Sequence, residues 1–488
     1  MAPGRFVAIH GHFYQPPREN PWLEAVEVQD SAAPYHDWNE RITAECYAPN
    51  AANYARMSFN FGPTLLTWLE SNAAETYGKI LAADRESRSR FSGHGSAIAQ
   101  AYNHAILPLA NFRDKVTQVA WGIRDFEHRF GRRPEGMWLP ETAVDDATLD
   151  MLAAEGIAFT ILAPSQAAAV REFGSGWRDV EGGGIDPRES YRVPLPSGRS
   201  ISVFFYDGGV SHGIAFGELA RGGDDFARAL FSRFDGRTGP QLVHVATDGE
   251  TYGHHVRGAD RVLAEALGAV ETSHYARLTN YGEFLERFPP RLEARVVQNS
   301  SWSCAHGVRR WCDDCGCSAG AAASHPWRRP LREALDWLRD TVAPLYSAAG
   351  AALFKDPWAA RNDSISIVLD ASSGSVDRFF EVNAIGPLSD DEKATALGLL
   401  DMQRYLLLMY TSCGWFFDDP AGLETRQVLR YAARAVELAE EYLGGSLEPL
   451  FLRLLERVRS ASEGRPDASE LYRKLRAPFT PSAAVLPS

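Results

Sequence analysis

A chain of 488 residues has room for more than one hydrophobic core, since single cores stop growing at roughly 250–300 residues. Its 45% hydrophobic and 23% charged residues are ordinary for a soluble globular protein. A net charge of -13 argues against a nucleic-acid or anionic-membrane surface, no run is long enough to cross a bilayer, and MAPGRFVAIHGHFYQPP lacks a long apolar segment followed by a cleavage site, so the expected compartment is the cytoplasm.

In chain order, Arg5–His12 (RFVAIHGH) reads as a strand with Val7 and Ile9 on one face and His10 and His12 at its exit. Pro16 to Asn60 is rich in aromatic, Pro and Asn residues without a sustained period, and reads as a long loop with short helices. Its Trp22, Tyr35, Trp38 and Tyr47 either stack on a ligand or hold the loop in place. Phe91–Gly95, with His94, marks another strand end, and Tyr102–Pro108, with His104, follows. Asp114–Phe130 carries Val116, Val119, Ala120, Ile123, Phe126 and Phe130 at helical spacing, with Gly131 as the stop. In GMWLPETAVD the short strand Met137, Trp138, Leu139 ends at Pro140, and Glu141 stands at its exit. A helix over Asp146–Gly156 and a strand over Ala158–Leu162 complete an alternation typical of parallel sheets with crossover helices. Between Pro164 and Gly239 the pattern loosens into turn-rich connectors around a strand at Ser200–Tyr206, with Asp207 after it as a weaker acidic candidate.

Leu242–His255 (LVHVATDGETYGHH) is a strand followed by Asp248, Glu250, His254 and His255. A parallel strand that delivers carboxylates and imidazoles at its C-terminal end is how α/β barrels build sites, although Asp-Gly also marks turns that merely cap a helix. Glu141 and Asp248 leave two strands at the same rim, and a pair of carboxylates facing each other is what glycoside hydrolysis requires. Beyond a helix from Asp260 to about Ala269, Leu278–Phe288 reads as the closing unit. Helical patterns then dominate at Leu331–Ala348, Asp390–Leu408, Glu424–Tyr442 and Leu447–Ser460, with a capping box at Ser389 and Glu392. The expected fold class is α/β, with a barrel over residues 1–290, a mainly α-helical domain over 291–488, and a boundary near Pro289-Pro290.

These motifs together resemble glycoside hydrolase family 57. Trp138-Leu139-Pro140-Glu141 is similar to the family's WLPE-like motif, which carries the nucleophile. Asp248 to Gly253 is similar to its DxExFG-like motif, which carries the acid/base Asp, with Tyr252 in place of Phe. His10, His12, Gln15 and Pro16 resemble the opening HxHxQP signature, and Tyr102–Pro108 resembles a Y-x-H-x-I-L-P segment. The resemblance implies a partly closed (β/α)7 barrel, a helical region that completes the cleft, and retaining action on α-glycans, by hydrolysis or transfer, with no cofactor required. Glu141 would attack the anomeric carbon and Asp248 would act as acid and base, with His10, His12, His94, His104, Trp138, Glu250, His254 and His255 around the oligo- or polysaccharide. Gln298–Trp302 with His306-Gly307 looks like a fifth motif and adds Trp302 and His306; Tyr410–Asp419 resembles a substrate-lining segment and adds Trp415. Trp302 and Trp415 are expected to be acceptor platforms, whose loss lowers transfer relative to hydrolysis while cleavage persists. Two rival readings are a metal-dependent polysaccharide deacetylase with His10, His12, His254 and His255 as ligands, and a catalytically silent carbohydrate-binding protein.

Four of the six cysteines, Cys304, Cys312, Cys315 and Cys317, lie in one short segment with His306 among them. Thiolates grouped with an imidazole suggest a structural zinc site, but the spacing lacks paired C-x2-C knuckles, and idle thiols are the alternative. His306 cannot easily serve both a metal and a sugar.

Overall fold

Arg5–Phe13 (β1) is buried over nearly its whole length, as expected for a parallel strand covered on both faces. The computed structural model describes residues 4–318, 320, 324–460 and 464–476. Among these, parallel pairing runs through β1, Ser58–Phe61 (β2), Ala99–Gln100 (β3), Met137–Trp138 (β4), Phe159–Leu162 (β5), Ser200–Phe205 (β6) and Gln241–Asp248 (β7). β1 pairs with β7 on one side, with His12 opposite Asp248, and with β2 on the other, with His12 opposite Asn60. Single bridges, Phe59 to Ala97 and Gly136 to Phe159, lead from β2 to β3 and from β4 to β5. β3 pairs with β4 and β5 with β6. Just past β6, the Asp207 N–H donates to the His244 carbonyl of β7 at 2.8 Å.

The two-residue period of a strand sorts these side chains. Phe6 and Ala8 of β1 and Leu242 and Ala246 of β7 join a cluster with Trp138, Ile161 and Phe204, whereas Val7, Ile9, Val243 and Val245 join the larger core with helix residues such as Val119 and Leu263. His10, His12 and Asp248 share the parity of the first set, which aims them inward. Because the strands are parallel, every C-terminal end lies on one rim.

The looser stretch before β7 and the segment after the expected closing unit hold more sheet than their sequences suggest. Ala167–Glu172, Ser190–Pro194 and Leu292–Val296 extend the β5–β6 pair as a mixed sheet. AAAVRE and SYRVP are short and partly polar, so alternation had no length over which to show. Asp207 is structural: its carboxylate caps the next helix through Val210 N–H at 2.9 Å and pairs with Arg233 at 2.5 Å.

The chain divides into two compact units, one of Met1–Pro17, Val26–Val308 and Asn362–Asp377, the other of Arg18–Ala25, Arg309–Arg361 and Arg378–Ser488. The second unit is helical. Its helix Asp390–Leu408 starts at the expected capping box, with Glu392 accepting from Ser389 N–H at 2.8 Å, and packs on Leu423–Leu443, where Tyr405 stacks on Tyr431. Arg328–Gly350 runs longer than expected despite Pro344, while the last expected helix shortens to Glu448–Leu455. Trp22 belongs to this unit, its indole N–H donating to Glu437 at 2.6 Å. No helix among the described residues is long and apolar enough to cross a membrane.

Candidate active site

At the exit of β4 the chain turns through Pro140-Glu141-Thr142 with Glu141 at φ 56° and Thr142 at φ 51°, both in the left-handed region. Such backbone costs on the order of 1–3 kcal/mol per residue and persists only when the surroundings enforce it. Here they do: Thr142 Oγ1 donates to Gln166 Oε1 at 2.8 Å, Gln166 Nε2 returns a bond to the Thr142 carbonyl at 2.8 Å, and Trp302 N–H donates to the Glu141 carbonyl at 3.1 Å. The turn presents a buried Glu141 carboxylate whose Oε2 accepts from Ser303 Oγ at 2.6 Å and from the Trp302 indole N–H at 3.1 Å. Ser303 was not legible as a site residue, since a lone Ser in a loop carries no pattern. Bonds to a charged group are worth about 1.5–3 kcal/mol, so Ser303→Ala should withdraw that support from the Glu141 charge while a thermal melt shows little change in melting temperature.

Asp248 ends β7 with its carboxyl free of any helix-cap bond, which removes the turn-capping alternative. Its side chain is exposed to solvent although protein surrounds it closely. Burial first, and the charge of Glu141 second, push its carboxyl up to about 7. The two groups therefore sense each other's charge. Tyr206, also missed in the sequence, faces the same carboxylate, and burial together with the Asp248 charge raises its phenol. Gly249 follows because nothing larger fits: a Cβ would stand 2.2 Å from the Phe13 ring. Gly249→Ala should cost about 1–3 kcal/mol, read from the denaturant midpoint.

Glu250 is buried, accepting from Tyr14 N–H at 3.0 Å and the Tyr47 hydroxyl at 2.6 Å. Burial and then the Asp248 charge hold it protonated up to about 8, so it braces the loop rather than lining open space. His254 binds Glu45 at 2.5 Å and His255 is exposed beside it.

Behind Glu141 stands a stack of rings. Trp138 lies 4.9 Å from both His10 and His12 at near-parallel angles, Tyr14 stacks on His104 at 3.7 Å, and Trp302 meets Trp138 edge-on at 5.1 Å. Asn60 joins the histidines: a consistent assignment has His10 Nε2 donating to Asn60 Oδ1 at 3.1 Å and Asn60 Nδ2 donating to His12 Nδ1 at 2.9 Å. His12 Nε2 then faces His104 Nε2 at 3.1 Å, a contact that requires an unprotonated ring. Burial lowers His10 and His12 to about 3 and His104 well below its usual value, so all three are neutral near pH 7.

His94 does not join this group. It lies before β3, at the N-terminal side of the sheet, held between Glu135 at 2.6 Å and Glu286 at 3.0 Å. Burial opposes its proton, but the two carboxylates prevail and raise its pKa. Trp415 is buried in the second unit, stacked on Tyr410, with its indole N–H donating to the Arg328 carbonyl at 3.2 Å. His10 and His12 spend their nitrogens on Ser58, Asn60 and His104, and no grouping of His10, His12, His254 and His255 suited to a metal occurs among the described residues.

Fold and site together define a protein with parallel strands whose common rim carries two interacting carboxylates beside neutral histidines and stacked aromatic rings. The chain belongs to glycosyl hydrolase family 57, whose model matches residues 19–296, and residues 324–484 match a domain of unknown function, DUF3536. It is 27% identical over 106 residues to alpha-amylase 1 of Dictyoglomus thermophilum, a stretch that is 22% of this chain and only 15% of that relative. Its fold is similar to that of an exo-type maltose-forming amylase from Pyrococcus sp. ST04, with a TM-score of 0.68 at 17% identity over 90% of this chain and 80% of the other. A GH57-type branching enzyme from Pyrococcus horikoshii gives a TM-score of 0.59 at 16% identity over 97% and 94% of the two chains.

Proposed function

We propose that this protein is a retaining glycoside hydrolase or transglycosylase acting on α-glucan-like oligo- or polysaccharides, with Glu141 as nucleophile and Asp248 as acid and base. We read the parallel strands β1 to β7 as a (β/α)7 barrel; the bond from Asp207 to His244, which leads from β6 back to β7, supports this. The observation that supports the activity is that Glu141, fixed by Ser303 and the Trp302 indole, and Asp248, which ends β7, leave parallel strands at the same rim, where burial and the Glu141 charge favour the protonated form of Asp248. One carboxylate fixed by two donors and one proton-bearing carboxyl are the two roles a retaining mechanism needs. Glu141 attacks the anomeric carbon as Asp248 protonates the departing oxygen; Asp248 then takes a proton from water or a sugar hydroxyl, which cleaves the glycosyl ester. Neutral His10, His12 and His104 stand at the same rim without adding charge, held by bonds to Ser58, Asn60 and one another. The α-glucan class follows the named activities of the relatives. Incubation with maltooligosaccharides, followed by NMR of the first-formed anomer and sizing of the products, tests the reading: retained configuration is expected, and an inverted first product would overturn it.

Trp302, expected as an acceptor platform, also contacts the proposed nucleophile. Its indole N–H lies on the nucleophile's oxygen, so Trp302→Ala should reduce cleavage itself, by roughly tenfold or more, rather than only shift the balance from transfer to hydrolysis. Total glucan turnover and the transfer-to-hydrolysis ratio, measured together, separate these outcomes.

A further inference from the structure

We propose that Tyr206 is a further substrate-contacting residue of the candidate active site, its hydroxyl bonding a hydroxyl group of the sugar unit held between Glu141 and Asp248. The inference rests on the glycosidase reading above and adds to it a residue that sets how the transferred sugar is gripped.

The backbone holds Tyr206 on both sides. Its N–H donates to the Leu162 carbonyl of β5 at 3.1 Å, and the next residue, Asp207, is tied by its N–H to the His244 carbonyl of β7 and by its carboxylate to Val210 N–H and Arg233. Tyr206 stands two residues after Phe204, so by strand parity both rings join the inner cluster with Ala8, Trp138 and Ala246. There the Tyr206 ring meets the Trp302 ring edge-on, with centroids 6.4 Å apart, and Trp302 carries the indole N–H that bonds Glu141 Oε2. Burial, and then the charge of Asp248, raise the phenol above its usual range. Tyr206 therefore stands one ring away from the proposed nucleophile and within the field of the proposed acid.

The hydroxyl is the part that this packing leaves unused. Only 8% of the residue is exposed, yet its hydroxyl has no hydrogen-bond partner among the described residues. Nearby phenols are engaged: Tyr281 with His244 Nδ1 at 3.0 Å and Tyr47 with Glu250 at 2.6 Å. A phenol buried to this degree ordinarily finds a partner, because giving up water without regaining a bond is costly. Were filling the space the whole requirement, phenylalanine would serve, as it does two residues earlier at Phe204. A sugar seated between the two carboxylates supplies the missing partner, and bonds to hydroxyls near the anomeric carbon strengthen in the transition state. Because its pKa is raised, the phenol stays neutral throughout the working range, so it can donate or accept there without adding a third charge.

The test compares the full chain with Tyr206→Phe, which keeps the ring and its packing and removes only the hydroxyl. The probes are para-nitrophenyl α-maltotrioside and three analogues, each lacking the 2-, 3- or 6-hydroxyl of the glucose unit that carries the nitrophenyl group. Taking the ratio of kcat/KM between the two proteins cancels the intrinsic reactivity of each substrate. On the parent substrate Tyr206→Phe should lose roughly tenfold or more, with an unchanged melting temperature and an alkaline limb still near pH 7. With one of the three analogues the loss should shrink to about twofold or less, since the partner hydroxyl is already missing. Equal activity of the two proteins on the parent substrate would overturn the proposal. So would a loss of the same size on all four substrates, which marks packing, or a limb displaced by a full unit, which marks a residue acting through Asp248. The unaltered protein separates the two levels of inference. If it cleaves neither the parent substrate nor maltooligosaccharides, the glycosidase reading falls and the role of Tyr206 falls with it; if it cleaves them and any of the three contrary results appears, Tyr206 alone is removed.

Discussion

On the proposed mechanism, Glu141→Gln is expected to lower kcat on α-glucans by roughly 10^4-fold or more, since removing the proposed nucleophile removes the covalent route and not merely one contact to the transition state. The change is nearly isosteric, and an amide oxygen can still accept from Ser303 and Trp302, so the left-handed turn at Glu141 and Thr142 should survive and the melting temperature should move little. What is lost is the negative charge and the ability to form a glycosyl ester. Azide should restore part of the activity by attacking the anomeric carbon in the nucleophile's place, and the glycosyl azide so formed should have the opposite anomeric configuration to the substrate. Near-normal activity in this variant, or azide rescue with retained configuration, would remove Glu141 from the nucleophile's role.

Much of this candidate site was legible because the residues proposed to carry it sit at strand exits. Glu141 after Pro140 and Asp248 after an alternating aliphatic run declared both their strand and their rim, and the parity of β1 put His10 and His12 on the same face as Asp248. What escaped lies in loops, where neighbours in space are not neighbours in sequence. Ser303 reaches Glu141 and Tyr47 reaches Glu250 across long stretches of chain, and no periodicity foretells such contacts. His94 misled for the converse reason: a histidine beside a strand was read as a strand-exit residue, but the strand begins at Ala99, so His94 stands at its entrance. The short polar strands Ala167–Glu172 and Ser190–Pro194 escaped because they gain stability from pairing with β6 and Leu292–Val296 rather than from an amphipathic pattern of their own. The helices of the second unit were the plainest, since fifteen or more residues at a 3.6 period leave little ambiguity.

The pH dependence of cleavage gives the second large effect. As the proposed acid, Asp248 must hold a proton when the glycosidic oxygen departs, and burial with the Glu141 charge raises its carboxyl to about 7. Because the protonated form is the active one, kcat/KM should be sustained below that value and fall about tenfold per pH unit above it, giving an alkaline limb near pH 7 instead of the far lower pH at which an ordinary carboxyl ionises. Glu250 lies two residues on and holds its own proton up to about 8, so it is neutral while Asp248 titrates. Glu250→Gln should therefore leave the limb near pH 7, even if losing the bonds from Tyr14 and Tyr47 lowers the absolute rate. A limb that moves by a full unit in that variant would instead show the two carboxyls titrating as one coupled pair. Asp248→Asn removes the titrating group, and here the leaving group decides the result: on a maltoside with an activated aryl leaving group, which departs without protonation, the first step should persist and the alkaline limb should vanish, while cleavage of unactivated glucan is lost. Retention of the limb in Asp248→Asn would assign the proton to a different residue.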